Sequence, residues 1–432
     1  MSMPPPKSYV AAAINAVGQV RGVPPGTLGR EIRKVGIIGA GLMGSGIAVC
    51  FLGANMPVVL LDQSNEALEK GRREVGKAFA SLVKRGILWD DLSRGYQGLL
   101  TTTSHYADLA DCDLVIEAVF ERMDVKQTVF RQLAEVAKPG AVLATNTSGL
   151  DVDAIAQASG RPADVVGLHF FSPAFMMPLL EIVRGRQTSP ATLRTAIFAS
   201  TVIRKTGVVV GNCPGFAANR MLEGYAREAE RLVLQGVDPE RLDRVITAYG
   251  FPMGPCAMGD MAGLDVRAYY LDALRAARLI PDDPAYGAMT RALLQAGRKG
   301  QKSGSGNYDY GADGRTPQPS PVVAEVRDRV AAELGIERRE FSDEEIVMRC
   351  LLPVINEAAR VLDEGVIDRA SDADVIWIYG YGFPAAKGGP VYQALAMGLE
   401  KVRSALETQR AADPAFGDAY WTPSPALAKL FA

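Results

Sequence analysis

Histidine is nearly missing from this chain, with two residues among 432. Cysteine is sparse as well: Cys50, Cys112, Cys213, Cys256 and Cys350 are scattered, odd in number and without a C-x-x-C pair. That pattern predicts reduced thiols used as core filler and no metal site. Neither charge sign dominates, and a net charge of −2 invites neither nucleic acid nor an acidic membrane surface. No apolar run approaches the roughly 20 residues of a membrane helix. The start, MSMPPPKSYVAAAINAVGQV, lacks a basic segment followed by an apolar core, and AKLFA at the other end is not a peroxisomal address. These absences predict a cytoplasmic protein with no membrane and no nucleic-acid partner.

A chain of this length, 48% hydrophobic and 22% charged, has room for two or three globular domains. Residues 1–30 read as an arm, with MSMPPPK mobile and a short helix over 8–20. From Lys34, strand candidates KVGIIG, PVVLLD, DLVIEAV, AVLATN, VVGLHFF and LLEIVRG alternate with helical stretches, which predicts a mostly parallel, doubly wound sheet. Strand signals stop after TGVVVGNCPGF, and the remainder is helical. Within it NRMLEGYAREAERLVLQG, from Asn219, is echoed without a gap by MRCLLPVINEAARVLDEG, from Met348. YGFPMGP, from Tyr249, is likewise echoed by YGFPAAKGGP, from Tyr381, so two related helical units are expected. The predicted fold is an α/β Rossmann-like NAD-binding domain (31–213) followed by two related all-α C-terminal domains (214–310 and 341–432), joined by a linker (311–340).

KVGIIGAGLMGSG carries the strongest local signal. Val35, Ile37 and Ile38 read as a buried strand, and Gly39, Gly41 and Gly44 complete G-x-G-x-x-G. Gly39 permits the tight turn, Gly41 lets backbone approach a pyrophosphate, and Gly44 lets the next helix pack close to the strand. The helix N-terminus offers N–H groups to the phosphates. Asp62 ends the second strand eighteen residues after Gly44. A carboxylate there accepts ribose hydroxyls and repels a 2′-phosphate, which favours NAD over NADP.

His105 reads as a loop residue. His169 lies at the carboxyl end of an apolar strand, where open α/β sheets place their ligands. Glu181 follows inside the apolar run MMPLLEIVRG, and a carboxylate there is costly to bury unless paired. Two facing strands bring the two together, either as a general base with its orienting carboxylate or as a buried ion pair joining strands. Asn146 and Ser148, in ATNTSGL, fall on a strand-end turn, where they hold nicotinamide and a substrate oxygen, cap the next helix, or both. Asn219 near a helix start hints at a side-chain role. Glu121 and Lys126 reach the cofactor ribose or form a solvated pair. Cys213 reads as packing, and Lys77, Lys84 and Arg85 as a solvated face.

In order and spacing, GIIGAGLMGSGIA, LLDQS, EAVFERMDVK, TNTSGL, GLHFFSPAFMMPLLEIV, NCPGFAANR and YGFPMGP resemble the 3-hydroxyacyl-CoA dehydrogenase family, from about Ile32 to the end. The second repeat resembles the duplicated C-terminal domain of multifunctional fatty-acid β-oxidation enzymes. PPGTLGREIRKVGIIG resembles the linker into their dehydrogenase part; their enoyl-CoA hydratase domain is not expected within this sequence, which is either a natural monofunctional relative or a cut-down piece of a longer enzyme. The resemblance implies NAD-dependent oxidation of a (3S)-3-hydroxyacyl-CoA, with a separate hydratase or thiolase as partner. It implies His169 as base, Glu181 as its orienting partner, and Ser148 and Asn219 on the substrate's oxygens. Leu42, Met43 (through its backbone), Asp62, Gln63, Val119, Glu121, Lys126 and Asn146 would line the cofactor. The family usually has Asn where Ser172 stands, so a hydrogen bond there is expected to be lost or bridged by water. In short family members one helical domain dimerises with its twin. Here the second copy is expected to occupy that surface, giving a monomer. The alternatives are a dehydrogenase of a free hydroxy acid or sugar acid, and a non-catalytic NAD-binding protein.

Overall fold

The computed structural model of the chain describes residues 3–431. Eight strands make one sheet: β1 (Val35–Ile38), β2 (Val58–Leu61), β3 (Leu100–Thr103), β4 (Leu114–Glu117), β5 (Val142–Thr145), β6 (Val165–Phe170), β7 (Leu179–Arg184) and β8 (Thr206–Gly211). Their order is β3-β2-β1-β4-β5-β6-β7-β8, parallel throughout except where β7 runs against β6. The strand β3 was not among the sequence candidates. Its LTTT lies at the sheet edge with one residue exposed, so it lacks the apolar run of its neighbours.

Alternation along the strands fills two cores. Val35 and Ile37 join Ile47 and Phe51 of the helix Leu42–Gly53 and Val75 and Phe79 of the helix Asn65–Lys84. Ile38 faces the other way, with Phe130 and Leu133 of Met123–Val136 and Ile155 of Val152–Ala158. The parallel strands β1, β4, β5 and β6 therefore end on one edge, where the sequence places the glycine turn, Val119, Asn146 and His169.

The described residues fall into two compact units. One holds the residues up to Asn219 together with Val361–Tyr381, and the other Arg220–Arg360 with the residues from Gly382 on. The division from sequence cut the chain otherwise, since it gave residues 361–381 wholly to the last helical domain. In the first unit the helix Ala370–Tyr381 lies on β7 and β8. Gly380 approaches so closely that a Cβ there would stand 2.7 Å from Leu179 Cδ2. The arm docks on the same helix. Its own helix, Pro6–Ala16, begins inside the stretch expected to be mobile, of which residues 1 and 2 lie outside the described residues. Tyr9 donates to Asp374 (2.7 Å) and the Arg21 amide to Asp368 (2.8 Å). Residues 311–340, expected as a linker, include the helix Pro321–Glu333.

In the second unit the repeat becomes a pseudo-two-fold. Arg220 and Arg349 are equivalent positions, as are Glu228 and Glu357. Arg220 donates from Nε (2.9 Å) and Nη2 (2.6 Å) to Glu357, and Arg349 donates from the same two atoms at the same two distances to Glu228. Gly224 and its equivalent Pro353 meet on the axis, where a Cβ on Gly224 would stand 2.6 Å from that of Pro353. Gly250 packs on Pro384 and Gly382 on Pro252, again an exchange of equivalents. Phe251 and Phe383 meet edge to face at 5.3 Å. This is the isologous geometry of a homodimer, realised within one chain.

The two ion pairs are alike in geometry and unlike in burial. Glu228 and Arg349 side chains are 0% and 7% exposed, against 17% and 20% for Glu357 and Arg220. Burial alone would push Glu228 up, but Arg349 and Arg227 hold it below the usual carboxylate range. Arg349→Met is expected to lower stability by roughly 3 kcal/mol, because it strips a buried carboxylate of one partner. Arg220→Met should lower it by about 1 kcal/mol or less. Urea denaturation checks both, and equal losses would show that burial does not set the difference.

Candidate active site

The glycine turn fits a dinucleotide. At Gly39 φ is +102° and a Cβ would stand 2.6 Å from the Ala118 carbonyl oxygen, so only glycine closes this turn. A Cβ on Gly44 would meet the Gly39 carbonyl oxygen at 1.8 Å, which fixes helix against strand. Gly41 has nothing within 4 Å of its Cβ direction, so the chain leaves open space over the turn. Gly41 caps the helix Leu42–Gly53 with no side-chain bond to its first N–H groups, a helix start of the kind that suits an anion. Leu42 is exposed and Met43 half-buried in that first turn. Asp62 accepts from the Ala40 amide (2.8 Å) and the Ser64 amide (3.0 Å), which aims its carboxylate along the turn, with Gln63 exposed beside it. A pyrophosphate and a ribose diol match this donor and acceptor set.

An acidic framework supports the next strand ends. Glu117, fully buried at the end of β4, accepts from the Val119 amide (2.8 Å), Lys126 Nζ (2.7 Å) and Thr145 Oγ1 (2.7 Å). Lys126 is 1% exposed and also pairs with Glu121 at 3.2 Å. Its ammonium is thus turned inward on two carboxylates rather than toward a ribose, and its role here is to hold them. Glu121 accepts from Thr147 Oγ1 (2.6 Å), the Ser148 amide (2.8 Å) and Ser148 Oγ (3.1 Å). Burial pushes the Glu121 carboxyl up, but Lys126 and these bonds outweigh it and hold the group below its ordinary value. The TNTSG turn is therefore built around Glu121. Sequence reasoning missed Glu117, although its signal matches that of Glu181: a carboxylate inside an apolar strand.

Asn146 accepts the Phe170 amide on its Oδ1 (2.9 Å), joining the ends of β5 and β6. His169 and Glu181 stand directly opposite in the antiparallel register of β6 and β7. His169 Nδ1 lies 2.8 Å from Glu181 Oε2, with the ring 7% and the carboxylate 0% exposed. Glu181 Oε1 accepts the Ala218 amide (2.9 Å) at the start of the helix Phe216–Leu234. Phe216, with φ +52°, turns the chain into that helix and packs 5.8 Å from the imidazole, and Phe171 packs at 4.5 Å on it. A carboxylate on Nδ1 puts the ring proton there and leaves Nε2 as the acceptor.

Asn219, one turn into the same helix, donates from Nδ2 to the Ser148 carbonyl (3.0 Å) and accepts on Oδ1 from the Tyr381 hydroxyl (3.0 Å). The segment between β6 and β7, with Ser172 exposed, is anchored by Lys205, whose Nζ donates to Ala174 (2.6 Å) and Met177 (2.5 Å) carbonyls. Burial pulls the Lys205 ammonium below its ordinary value. Sequence reasoning missed Lys205 and Tyr381, for their partners are backbone groups or lie far along the chain. His105 is exposed away from this constellation, and Lys77 pairs with Glu74 on the surface.

Residues 34–213 match the family described as 3-hydroxyacyl-CoA dehydrogenase, NAD binding domain, and residues 215–310 match 3-hydroxyacyl-CoA dehydrogenase, C-terminal domain. The human (Homo sapiens) peroxisomal bifunctional enzyme is 40% identical over 392 residues, which is 88% of this chain and 53% of that protein. The chain thus spans about half the length of the curated relatives it matches. Two solved structures share its fold. Escherichia coli 3-hydroxybutyryl-CoA dehydrogenase has a TM-score of 0.79 at 27% identity, covering 92% of this chain and 98% of that one. The dehydrogenase part of multifunctional enzyme 1 from C. elegans has 0.71 at 28%, covering 97% and 96%. The cytoplasmic expectation is overturned: the human relative and those from zebrafish (Danio rerio) and rice (Oryza sativa subsp. japonica) are named peroxisomal. The expectation rested on absences at the chain's two ends, which say nothing about compartment when the relatives are about twice as long. With a glycine turn shaped for a dinucleotide, a buried imidazole–carboxylate pair further along the same sheet, and family matches across both regions, the chain belongs to the 3-hydroxyacyl-CoA dehydrogenase family.

Proposed function

We propose that the protein catalyses reversible, NAD-dependent oxidation of a (3S)-3-hydroxyacyl-CoA to the 3-oxoacyl-CoA, as the dehydrogenase segment of a β-oxidation system. The observation that carries this reading is the His169–Glu181 pair, placed at the strand edge that holds the glycine turn. NAD, when bound, supplies the hydride acceptor. His169 Nε2 takes the proton of the substrate's 3-hydroxyl, and Glu181 stabilises the resulting imidazolium. The Ala218 amide, donating to Oε1, holds the Glu181 carboxylate in place while Oε2 faces the ring. Asn219 Nδ2 retains one N–H beyond its bond to Ser148 and holds a substrate oxygen with it, while Ser148 Oγ, which donates its proton to the bond with Glu121, is left as an acceptor for the substrate's hydroxyl. Asn146, fixed through Phe170, would help hold the nicotinamide. Glu121 and Lys126 act here by shaping the turn that carries Ser148. A hydratase, on the same polypeptide or another, would supply the substrate, and a thiolase would consume the product. The reciprocal contacts of the two repeats support a monomer, since the second repeat covers the face with which a twin would pair. Light scattering should give the mass of one chain at micromolar concentration, and a tight dimer would refute this.

The test of function is NADH oxidation with acetoacetyl-CoA beside free acetoacetate. Turnover confined to the thioester is expected; equal rates would indicate a non-CoA hydroxy acid, and none with NADH bound a non-catalytic role. His169→Ala should lower kcat by roughly 10²–10⁴-fold with NADH affinity unchanged. A variant keeping more than a tenth of the activity would remove His169 from the base's position.

Asp62→Arg should weaken NAD binding about ten-fold or more and shift preference to NADP, since a guanidinium suits a 2′-phosphate and the lost carboxylate no longer repels it. Binding titrations with both cofactors check this, and an unchanged preference would show that Asp62 does not hold the ribose.

A further inference from the structure

Tyr381 stands where no pattern in the first half of the chain points. It ends the helix Ala370–Tyr381 of the second repeat, yet it belongs with His169 in the first compact unit. Its hydroxyl lies 3.0 Å from Asn219 Oδ1. Its ring meets Phe171 edge to face at 5.8 Å, and Phe171 lies 4.5 Å from the His169 ring. Trp377, one helical turn earlier, backs it at 5.2 Å.

The hydrogen-bond directions follow from the partners. The Ser148 carbonyl can only accept, so Asn219 must turn Nδ2 toward it. That leaves Oδ1 facing Tyr381, whose hydroxyl must then donate. The carboxamide is held at both ends, and the second N–H of Nδ2 has a single direction. An asparagine amide otherwise rotates in a broad terminal torsion. We propose that Tyr381 is a positioning residue for the dehydrogenase reaction: it clamps the Asn219 carboxamide so that one N–H points at the substrate's reacting oxygen. This rests on the function proposed above.

The repeat sharpens the argument. Tyr381 is the equivalent of Tyr249, and Asn219 is the equivalent of Met348. The second repeat therefore has no amide for Tyr249 to hold, and Tyr249 instead lies under Lys387 Nζ, 4.3 Å from its ring centroid. One tyrosine of the pair serves the site and the other serves packing. A purely structural tyrosine would not need a hydroxyl aimed at a carboxamide whose other end is already fixed.

The test is a double-mutant cycle in the full chain, with Tyr381→Phe, Asn219→Ala and their combination. Tyr381→Phe keeps the ring on Phe171 and Trp377 and removes only the hydroxyl. It should lower kcat for acetoacetyl-CoA reduction about ten-fold, as misorientation of one reacting contact does, with KM for NADH and Tm unchanged. On the Asn219→Ala background it should have no further effect. A Tyr381→Phe kcat within two-fold of wild type, or an equal loss in the absence of Asn219, would overturn the proposal and leave Tyr381 as packing. Wild-type protein inert toward the thioester would instead overturn the functional reading, and this proposal with it.

Discussion

Everything at the catalytic edge depends on one buried interaction, the carboxylate of Glu181 on the imidazole of His169. Neither group would be tolerated alone inside a sheet. The strand reversal makes the pair possible. All other neighbours in the sheet are parallel, and parallel neighbours need a long crossover, whereas the segment between β6 and β7 is a short loop. A short loop forces antiparallel pairing, and antiparallel register sets His169 and Glu181 face to face. The same loop holds its shape through Lys205, a buried cation bonded to backbone carbonyls of Ala174 and Met177. The helix that follows β8 then completes the pair, because the Ala218 amide lends Glu181 the partial positive charge of a helix start. Register, loop and helix terminus thus converge on one carboxylate.

A second carboxylate system repeats this logic two strands away. Glu117 and Glu121 share Lys126, and between them they bind Thr145, Thr147 and Ser148. A carboxylate is placed inside the fold at both sites, and at both it is held by directed hydrogen-bond donors and then used to fix backbone. The difference lies in what stays exposed. Lys126 spends its hydrogen bonds on the framework, whereas His169 keeps Nε2 for chemistry. A cation that cannot be released makes a good strut and a poor catalyst, which separates the role of Lys126 from that of His169.

How much of this was legible in the sequence follows from the range of each interaction. The glycine turn is local, and Gly39, Gly41, Gly44 and Asp62 could be placed from a single βαβ unit. Glu181 was legible because a carboxylate breaks an apolar strand pattern, and Glu117 carries the same mark. Tyr381 carries none: a tyrosine at a helix end has many uses, and its partner lies 162 residues earlier. Lys205 is equally silent, since its partners are carbonyls that every residue possesses. Strand β3 escaped because an edge strand needs only one buried face, so three threonines suffice. The helix Pro321–Glu333 was hidden behind a linker reading set by the Gly- and Pro-rich residues before it.

The duplicated helices show what a repeat keeps and what it releases. Positions on the pseudo-two-fold axis remain complementary: Arg and Glu exchange partners, Gly224 meets Pro353, and each YGFP glycine receives the other's proline. Any change at one of these positions disturbs a contact with the other copy, so both copies are constrained together. Asn219 and Met348 are equivalent positions outside these reciprocal contacts. They have diverged, and only the first carries a group able to hold a substrate oxygen. Self-complementary interfaces tie two copies to one solution, whereas a site used once leaves its second copy free to be recruited as support. The helix that ends in Tyr381 is such a recruit: it lies on β7 and β8, takes the docked N-terminal arm, and ends on Asn219 of the other repeat.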